Sequence, residues 1–195
     1  MNITKEQVSS LLAKAPMTQT KHKPYPSAKE EYFEQFMVEY GFSIPSTLAD
    51  YLRISNGAWI YPNGVYGIYT EDERLDIRKM FEYFPEWLER KWIPISSDGC
   101  GCYNVMDAGY NQTEHQPIFF IDCSDYVKPD YIVASNMWTY IYFHIEQELR
   151  DEENPPPEFP HMSEPSLWPF NKEYVLSVDP DIEKITAYPI PWEVD

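Results

Sequence analysis

The three cysteines of this chain and one of its four histidines are residues whose types could together hold a zinc ion. Cys100 and Cys102 flank one glycine, and His115 and Cys123 follow further along the chain. Zinc accepts three thiolates and an imidazole, and the residues of a Cys-x-Cys pair point to the same side of a strand. No second paired motif follows, however, and isolated cysteines are usually small buried side chains. We therefore expect no metal site.

Catalysis would need acidic or nucleophilic side chains in a suitable context. Carboxylates that could pair for acid–base chemistry lie near predicted strand ends, at Asp98, Asp107, Asp122 and Asp125. Aspartate is a common turn residue, so these positions favour turns over catalysis. The four histidines are scattered along the chain: His22, His115, His144 and His161. Without a nucleophile elbow or a glycine-rich phosphate loop, we expect no enzyme and no cofactor.

The stretch 92–107, WIPISSDGCGCYNVMD, contains most of these residues and predicts a hairpin. Its ends are rich in strand-forming residues, and the glycines at its centre tolerate the positive φ of a tight turn. Two further apolar runs, at 118–121 and 131–134, predict a third and a fourth strand. The prediction is an antiparallel sheet of about four to six strands.

Capping residues and apolar residues at helical spacing predict the helices that surround this sheet. Their expected starts are Thr4, Ser27, Ser46, Thr70, Pro85 and Ser135. Gly41 should end the second helix and Asn56-Gly57 the third. A hairpin should follow, with Asn63-Gly64 favouring its turn. The fold class is therefore α+β.

The chain has 195 residues, 43% of them hydrophobic, which is enough for one sizeable core. We expect a single domain over residues 1–150. From 151 the composition becomes acidic and rich in proline, and three consecutive prolines favour an extended spacer. Segments 174–177 and 184–188 are consistent with a small terminal hairpin in this 151–195 extension. Trp168, Phe170 and Trp192 suggest that the extension docks.

The formal net charge of −17 bears on the choice of partner. Such an excess opposes direct binding to nucleic-acid phosphates and would speed encounter with a basic protein. No apolar run is long enough for a membrane span, and charged residues near the start do not fit a signal peptide. An odd number of cysteines does not make a disulfide framework. These features predict a soluble cytoplasmic protein that does not bind a membrane.

Three segments together resemble the SUKH superfamily, which includes fungal cell-wall and glucan-synthesis regulators and bacterial immunity proteins. The segments are YGFSIPSTLADYLRISNG (40–57), WIPISSDGCGCYNVMD (92–107) and IVASNMWTYIYFHI (132–145). The resemblance covers roughly residues 27–149 and implies helices packed against an antiparallel sheet. Two features depart from the family pattern. Cys102 replaces the usual acidic residue after the second glycine of the turn, and the extension beyond Asp151 has no counterpart.

The resemblance implies a non-enzymatic protein-binding module. The leading hypothesis is an immunity protein that neutralises a bacterial contact-delivered toxin, such as a basic nuclease. The alternative is a regulatory scaffold of the cell-wall or glucan-synthesis type. The acidic candidates for partner binding lie at the expected fourth-helix start, on the central turn and on the spacer: Glu71, Asp72, Glu73, Asp98, Glu152, Glu153 and Glu158. The aromatic candidates are Trp168 and Trp192, with Phe170 beside them.

Overall fold

The structure, a computed structural model, describes residues 3–14, 23–60, 63–110, 115–153 and 167–194. Within these ranges the helices are α1 (Lys5–Lys14), α2 (Glu30–Tyr40), α3 (Ser46–Leu52), α4 (Ile77–Tyr83), α5 (Pro85–Glu89), α6 (Met137–Glu153) and α7 (Lys172–Val178). The strands are β1 (Lys23–Pro24), β2 (Ala58–Ile60), β3 (Asn63–Val65), β4 (Trp92–Ser97), β5 (Tyr103–Asp107), β6 (Ile118–Ile121) and β7 (Tyr131–Ala134). Short 3-10 helices occupy Glu73–Leu75, Pro180–Lys184 and Pro191–Glu193. None of the described helices combines the length and the apolar character that crossing a membrane requires.

The strands of the described residues form one sheet in sequential order, and every neighbouring pair is antiparallel. The predicted α+β class and the four longer strands, β4 to β7, are confirmed. The two-residue β1 adds an edge strand beside β2 that the polar sequence around it did not predict. Strand β4 is buried along most of its length, as its apolar run predicts.

Helices cover both faces of the sheet. Ser96 of β4 and Asn104 of β5, which are register partners, meet Tyr140 of α6 through a hydrogen-bonded cluster of their side chains. The neighbouring residue, Tyr103, contacts Trp87 of α5 with ring centroids 5.2 Å apart. Because successive strand residues point to opposite faces, α6 and α5 lie on opposite sides. One continuous hydrophobic core includes residues from both layers.

Helix starts agree with the predictions only in part. Thr4 and Gln7 form the predicted reciprocal capping box, with Thr4 N donating to Gln7 Oε1 at 2.8 Å. No helix begins at Thr70: Asp76, further along, caps α4 by accepting from the Arg78 backbone N–H at 3.0 Å. Likewise, Asn136 instead of Ser135 caps α6. In both cases a carboxylate or amide supplied the cap, and a hydroxyl nearby did not.

The Asn56-Gly57 pair is not a helix C-cap, because α3 already ends at Leu52. Asn56 is buried, and its side chain both donates to the Ile68 carbonyl at 2.7 Å and accepts from the Ile68 N–H at 2.8 Å. Gly57 adopts a φ of +88°. The pair therefore clamps α3 to the chain that follows β3. The predicted hairpin exists, but Asn63-Gly64 lies within β3, and residues 61–62 of its turn lie outside the described residues.

The terminal hairpin expected in the extension is wrong, because residues 172–178 form the helix α7. Asn171 caps this helix by accepting from Tyr174 N at 2.9 Å. Buried residues then follow at helical and not alternating spacing, at Val175, Val178, Ile182 and Ile185. These residues belong to the same core as the rest of the chain.

The terminal segment 167–194 also covers the outer edge of β7. The Ile132 N–H donates to the Pro189 carbonyl at 2.9 Å. The register between β6 and β7 skips Val133, and the carbonyl of this bulged residue accepts from Trp168 Nε1 at 2.8 Å. An open sheet edge invites pairing with other chains, so the segment closes this side of the sheet.

Candidate functional site

Two loops meet at one end of the sheet: the β4–β5 turn, residues 98–102, and the β6–β7 loop, residues 122–130. They are adjacent because β5 pairs with β6 in a register that sets Tyr103 opposite Ile121. The two loops contain four aspartates and a single basic residue, Lys128. We refer to residues 98–102 and 122–130 as the acidic turn face.

Asp98 organises the β4–β5 turn. One oxygen of its carboxylate, Oδ1, accepts from the backbone N–H of Cys100 at 2.7 Å and of Cys102 at 3.0 Å. The turn also needs positive φ angles at Gly99 (+75°) and Gly101 (+103°), which glycine adopts without strain. Asp98 is nevertheless exposed, so it shapes the turn and also presents negative charge to solvent.

The other aspartates of the face are held by backbone N–H groups of their own loop. Asp122 Oδ1 accepts from Ser124 N at 2.8 Å, and Asp125 Oδ1 accepts from Val127 N at 3.1 Å. Asp130 Oδ2 accepts from Asp122 N at 2.8 Å. Hydrogen bonds from Ser124 lower the pKa of Asp122 below its usual value. Asp122 is therefore fully ionised at neutral pH.

An aromatic cluster of α5 and its neighbours packs against the β6–β7 loop of the acidic turn face. Phe84 stacks on Trp87 with centroids 4.2 Å apart and contacts Tyr126 at 4.7 Å. Trp87 Nε1 donates to the Tyr126 carbonyl at 2.6 Å, which ties the β6–β7 loop to α5. Beside this cluster, the side chain of Tyr83 is 69% exposed and that of Val127 is 40% exposed. The face thus combines negative charge with exposed apolar surface.

The acidic turn face also contains two thiols and a carboxylate in close proximity. A ligand atom from each of Cys102, Asp122 and Cys123 lies within 4.8 Å of the others. Cys102 Sγ is 3.7 Å from Asp122 Oδ2. Burial raises the pKa of the Cys102 thiol to about 12, so this thiol is not an activated nucleophile. Of the residues weighed for zinc on sequence grounds, His115 does not belong to this group.

The first predicted acidic group lies at the start of the short 3-10 helix Glu73–Leu75, and not at the start of α4. Asp72 accepts from Arg74 N at 3.2 Å, and two nitrogens of the Arg74 guanidinium donate to its carboxylate at 2.9 Å each. The Tyr25 hydroxyl donates to it at 3.1 Å. Hydrogen bonds from the Arg74 side chain lower the pKa of Asp72 to about 2. Asp72 is thus tied into the fold, whereas Glu71 and Glu73 are exposed.

The spacer group is placed differently from its prediction. Glu152 and Glu153 belong to the last turn of α6 and not to an extended spacer, because the helix continues beyond the expected boundary at 150. Glu158 lies outside the described residues.

The aromatic candidates divide into anchoring and exposed residues. Trp168 stacks on Phe143 of α6 with centroids 5.5 Å apart, and its Nε1 donates to Val133. Trp192 is half-buried against the core. Phe170, by contrast, is 53% exposed. Trp168 therefore docks the terminal segment onto the domain, as the sequence suggested for this group.

Of the four aspartates weighed for catalysis, three lie on the acidic turn face, and all four accept hydrogen bonds that hold the local structure. Asp98, Asp122 and Asp125 hold turns, as described above, and Asp107 accepts from the Tyr188 hydroxyl and from Gly109 N. His144 is fully buried, and burial lowers its pKa to about 4. His22 and His161 lie outside the described residues. What this end of the sheet offers chemically is charge, exposed apolar surface and thiols.

Sequence reasoning proposed Asp98 as a partner-binding residue but did not single out its neighbours Asp130, Tyr126 and Tyr83. The available signal was the segment DCSDYVKPD at 122–130, which has three aspartates and one lysine. What it did not reveal was that this loop lies beside the Asp98 turn. That proximity follows from the pairing of β5 with β6.

The comparisons with known proteins bear on the family and not on a partner. A search of curated proteins found no match. The model of the SMI1 / KNR4 family (SUKH-1) matches residues 27–143, which is more than half of the chain and includes the acidic turn face. Members of this superfamily act through contacts with protein partners. With this match over the helices and the sheet described above, the chain belongs to the SMI1 / KNR4 family (SUKH-1).

Proposed function

We propose that this protein is a cytoplasmic immunity protein that neutralises a basic bacterial toxin by binding it, without catalysis. The acidic turn face is the observation that supports this proposal most directly. It presents Asp98, Asp122, Asp125 and Asp130 beside exposed Tyr83. Interfaces that combine an apolar contact with a charged rim are typical of protein–protein recognition.

Charge complementarity gives the partner its chemical character. Lys128 is the one basic side chain among the four aspartates of the face, and the whole chain carries −17. A basic surface, such as the substrate-binding surface of a nuclease, would be steered towards this face. The carboxylates of the acidic turn face would then occupy the positions on the nuclease that the phosphates of its nucleic-acid substrate otherwise take.

The test is binding kinetics with the toxin encoded next to the gene for this protein. Two double variants carry the same change of charge. One is Asp98→Asn with Asp125→Asn on the acidic turn face, and the other is Glu71→Gln with Glu73→Gln at the start of the 3-10 helix that precedes α4. We expect the first to lower the association rate constant about three- to tenfold at low salt. The second should bind like the parent. Between about 50 and 500 mM NaCl the difference should disappear, because salt screens exposed charges.

Equal effects of the two double variants would remove the acidic turn face from this role. Salt-insensitive association of all three proteins would mean that the charge serves solubility alone. A gene without an adjacent toxin, and a protein with several weak regulatory partners, would instead favour the scaffold role that other SUKH proteins have.

A further inference from the structure

The geometry points to a zinc site at the acidic turn face, formed by Cys102 Sγ, Cys123 Sγ and Asp122 Oδ2. Neither the proposed toxin binding nor the family match requires it. The sequence argued against zinc because no paired motif followed Cys100 and Cys102. The structure supplies a different third ligand, a carboxylate, and excludes Cys100 and His115 from the group.

The distances between these atoms fit a tetrahedral metal. With Zn–S near 2.3 Å and Zn–O near 2.1 Å, a tetrahedron separates a sulfur from an oxygen by about 3.6 Å and two sulfurs by about 3.8 Å. The observed Sγ–Oδ2 separation of Cys102 and Asp122 is 3.7 Å, and all three ligand atoms lie within 4.8 Å of one another. In the metal-free protein the Cys102 thiol donates a hydrogen bond to Asp122 at this separation, and the same separation suits two ligands of one ion.

The ligands are also held in place by other groups of the fold. Ser124 N occupies Asp122 Oδ1, which leaves Oδ2 directed at Cys102. Asp98 Oδ1 fixes the backbone N–H of Cys102, and Asp130 Oδ2 fixes that of Asp122. Such hydrogen bonds orient metal ligands and strengthen binding. Two carboxylates behind the ligands also add negative charge that favours a divalent cation.

Access and coordination number are consistent with this site. Cys102 is buried, whereas Cys123 is exposed, so an ion can enter from the Cys123 side. The positive φ of Gly101 brings the turn backbone next to Cys123, since a β-carbon there would lie 3.4 Å from Cys123 Cβ. Three protein ligands leave the fourth position of zinc for water.

The experiment titrates Zn2+ into tag-free, fully reduced protein under argon by calorimetry, with Cd2+ as a spectroscopic probe of thiolate ligation. The parent should bind one ion per chain, and Cd2+ should give the thiolate charge-transfer band. Cys123→Ser and Asp122→Asn, both at partly exposed positions, should weaken zinc binding by more than about tenfold. Even the mutation of a group that only hydrogen-bonds to a metal ligand typically lowers metal affinity about 10- to 100-fold. Cys100→Ser is the matched control, because Cys100 is an exposed thiol of the same turn outside the group. It should bind like the parent.

Binding should also strengthen between about pH 6.5 and 8, because each thiol must release its proton to the solvent before it ligates the metal. The proposal is overturned if the parent shows no saturable binding of one ion, if Cys123→Ser binds like the parent, or if Cys100→Ser loses binding to the same extent. An affinity independent of pH in this range would show a carboxylate site without thiolates. A disulfide between Cys102 and Cys123 is the alternative use of these thiols. It would be indicated if the reduced protein binds no zinc, and if the parent loses two free thiols in air while Cys123→Ser does not.

Discussion

Gly57 and Gly41 show how the surroundings of a residue add to its backbone preference. Both have positive φ, +88° and +76° respectively. A β-carbon at Gly41 would meet nothing within 4 Å, whereas at Gly57 it would lie 3.3 Å from Gly67 N and Val65 O. The cost at Gly41 is therefore conformational only. At Gly57 a β-carbon also makes tight contacts with the backbone of Gly67 and Val65, which must move by a few tenths of an ångström.

We expect Gly41→Ala to lower the free energy of unfolding by roughly 1 kcal/mol, the cost of a left-handed conformation for a residue with a β-carbon. Gly57→Ala should lower it further, and Gly57→Val more still. Urea unfolding of the three variants measures this order. Equal losses for Gly41→Ala and Gly57→Ala would show that the backbone around Gly67 moves aside without cost.

His144 connects burial with pH. Its ring contacts those of Tyr140 and Trp168, with centroid distances of 4.5 and 4.9 Å, and its Nε2 has no hydrogen-bond partner. Burial lowers its pKa from 6.5 to about 4. Below pH 6.5 the unfolded chain therefore takes up a proton that the folded chain does not. Stability from this residue is intact above pH 6.5 and is lost as the pH falls towards 4.

Between pH 7.5 and 5 this difference in pKa should cost about 2 kcal/mol of unfolding free energy. His144→Phe removes the titration, so its stability should fall less than that of the parent over the same interval. Urea unfolding of both proteins at the two pH values measures how much more stability the parent loses than the variant. The titration of the carboxylates contributes equally to both proteins and cancels in this comparison. Parallel losses in the two proteins would mean that His144 is protonated in the folded state or that solvent reaches it.

Among the larger elements, the terminal segment 167–194 has a clear structural role. It covers the β7 edge through Pro189 and Trp168. It also reaches the start of α6, where buried Asp179 accepts from Ser135 N at 2.7 Å and from Ser135 Oγ at 2.6 Å. The segment therefore joins the sheet edge to the helix that crosses the sheet.

Trp168→Ala should lower the unfolding free energy by about 3 kcal/mol, because it leaves a cavity beside Phe143 and an unpaired carbonyl at Val133. Phe170→Ala is the matched control. It removes an aromatic ring two residues away that is more than half exposed, and it should cost less than about 1 kcal/mol. Thermal or urea unfolding compares the two. A small effect of Trp168→Ala would show that the segment is held by α7 alone.

The molecule as a whole carries a large excess of negative charge. A net charge of −17 on a compact chain produces repulsion that the unfolded chain relieves by expanding. Several ion pairs, such as the 2.6 Å contact of Arg78 with Asp76, offset this repulsion locally. The chain has 15 basic and 32 acidic residues, so most of the repulsion between negative charges is not compensated by ion pairs.

Raising NaCl from about 10 to 300 mM should therefore raise the melting temperature, because the screening length falls below the typical distances between exposed charges. A variant with Asp98→Asn and Asp125→Asn should show a smaller rise, since fewer negative charges remain to be screened. Differential scanning calorimetry measures both. A melting temperature that falls with salt would mean that attractive ion pairs outweigh the repulsion.

Local patterns were sufficient for the α+β class, the strands β4 to β7 and most of the helices. Alternating or continuous apolar runs specify strands, and Gly41 and the Thr4–Gln7 box acted through neighbours a few residues away. Errors arose where two signals competed within a few positions, as with Thr70 and Asp76. They also arose where the apolar residues of 174–177 were assigned the period of a strand and not that of a helix.

Contacts between distant residues could not be predicted in the same way. Asn56 and Gly57 were expected to end a helix, but their partners are Ile68 and Gly67, which only the folding of the hairpin brings near. Cys102 and Asp122 are 20 residues apart and become neighbours through the register of β5 and β6. The acidic turn face exists for the same reason. Chain composition determined that the protein is acidic, and strand pairing determined where four of its carboxylates and two of its thiols meet.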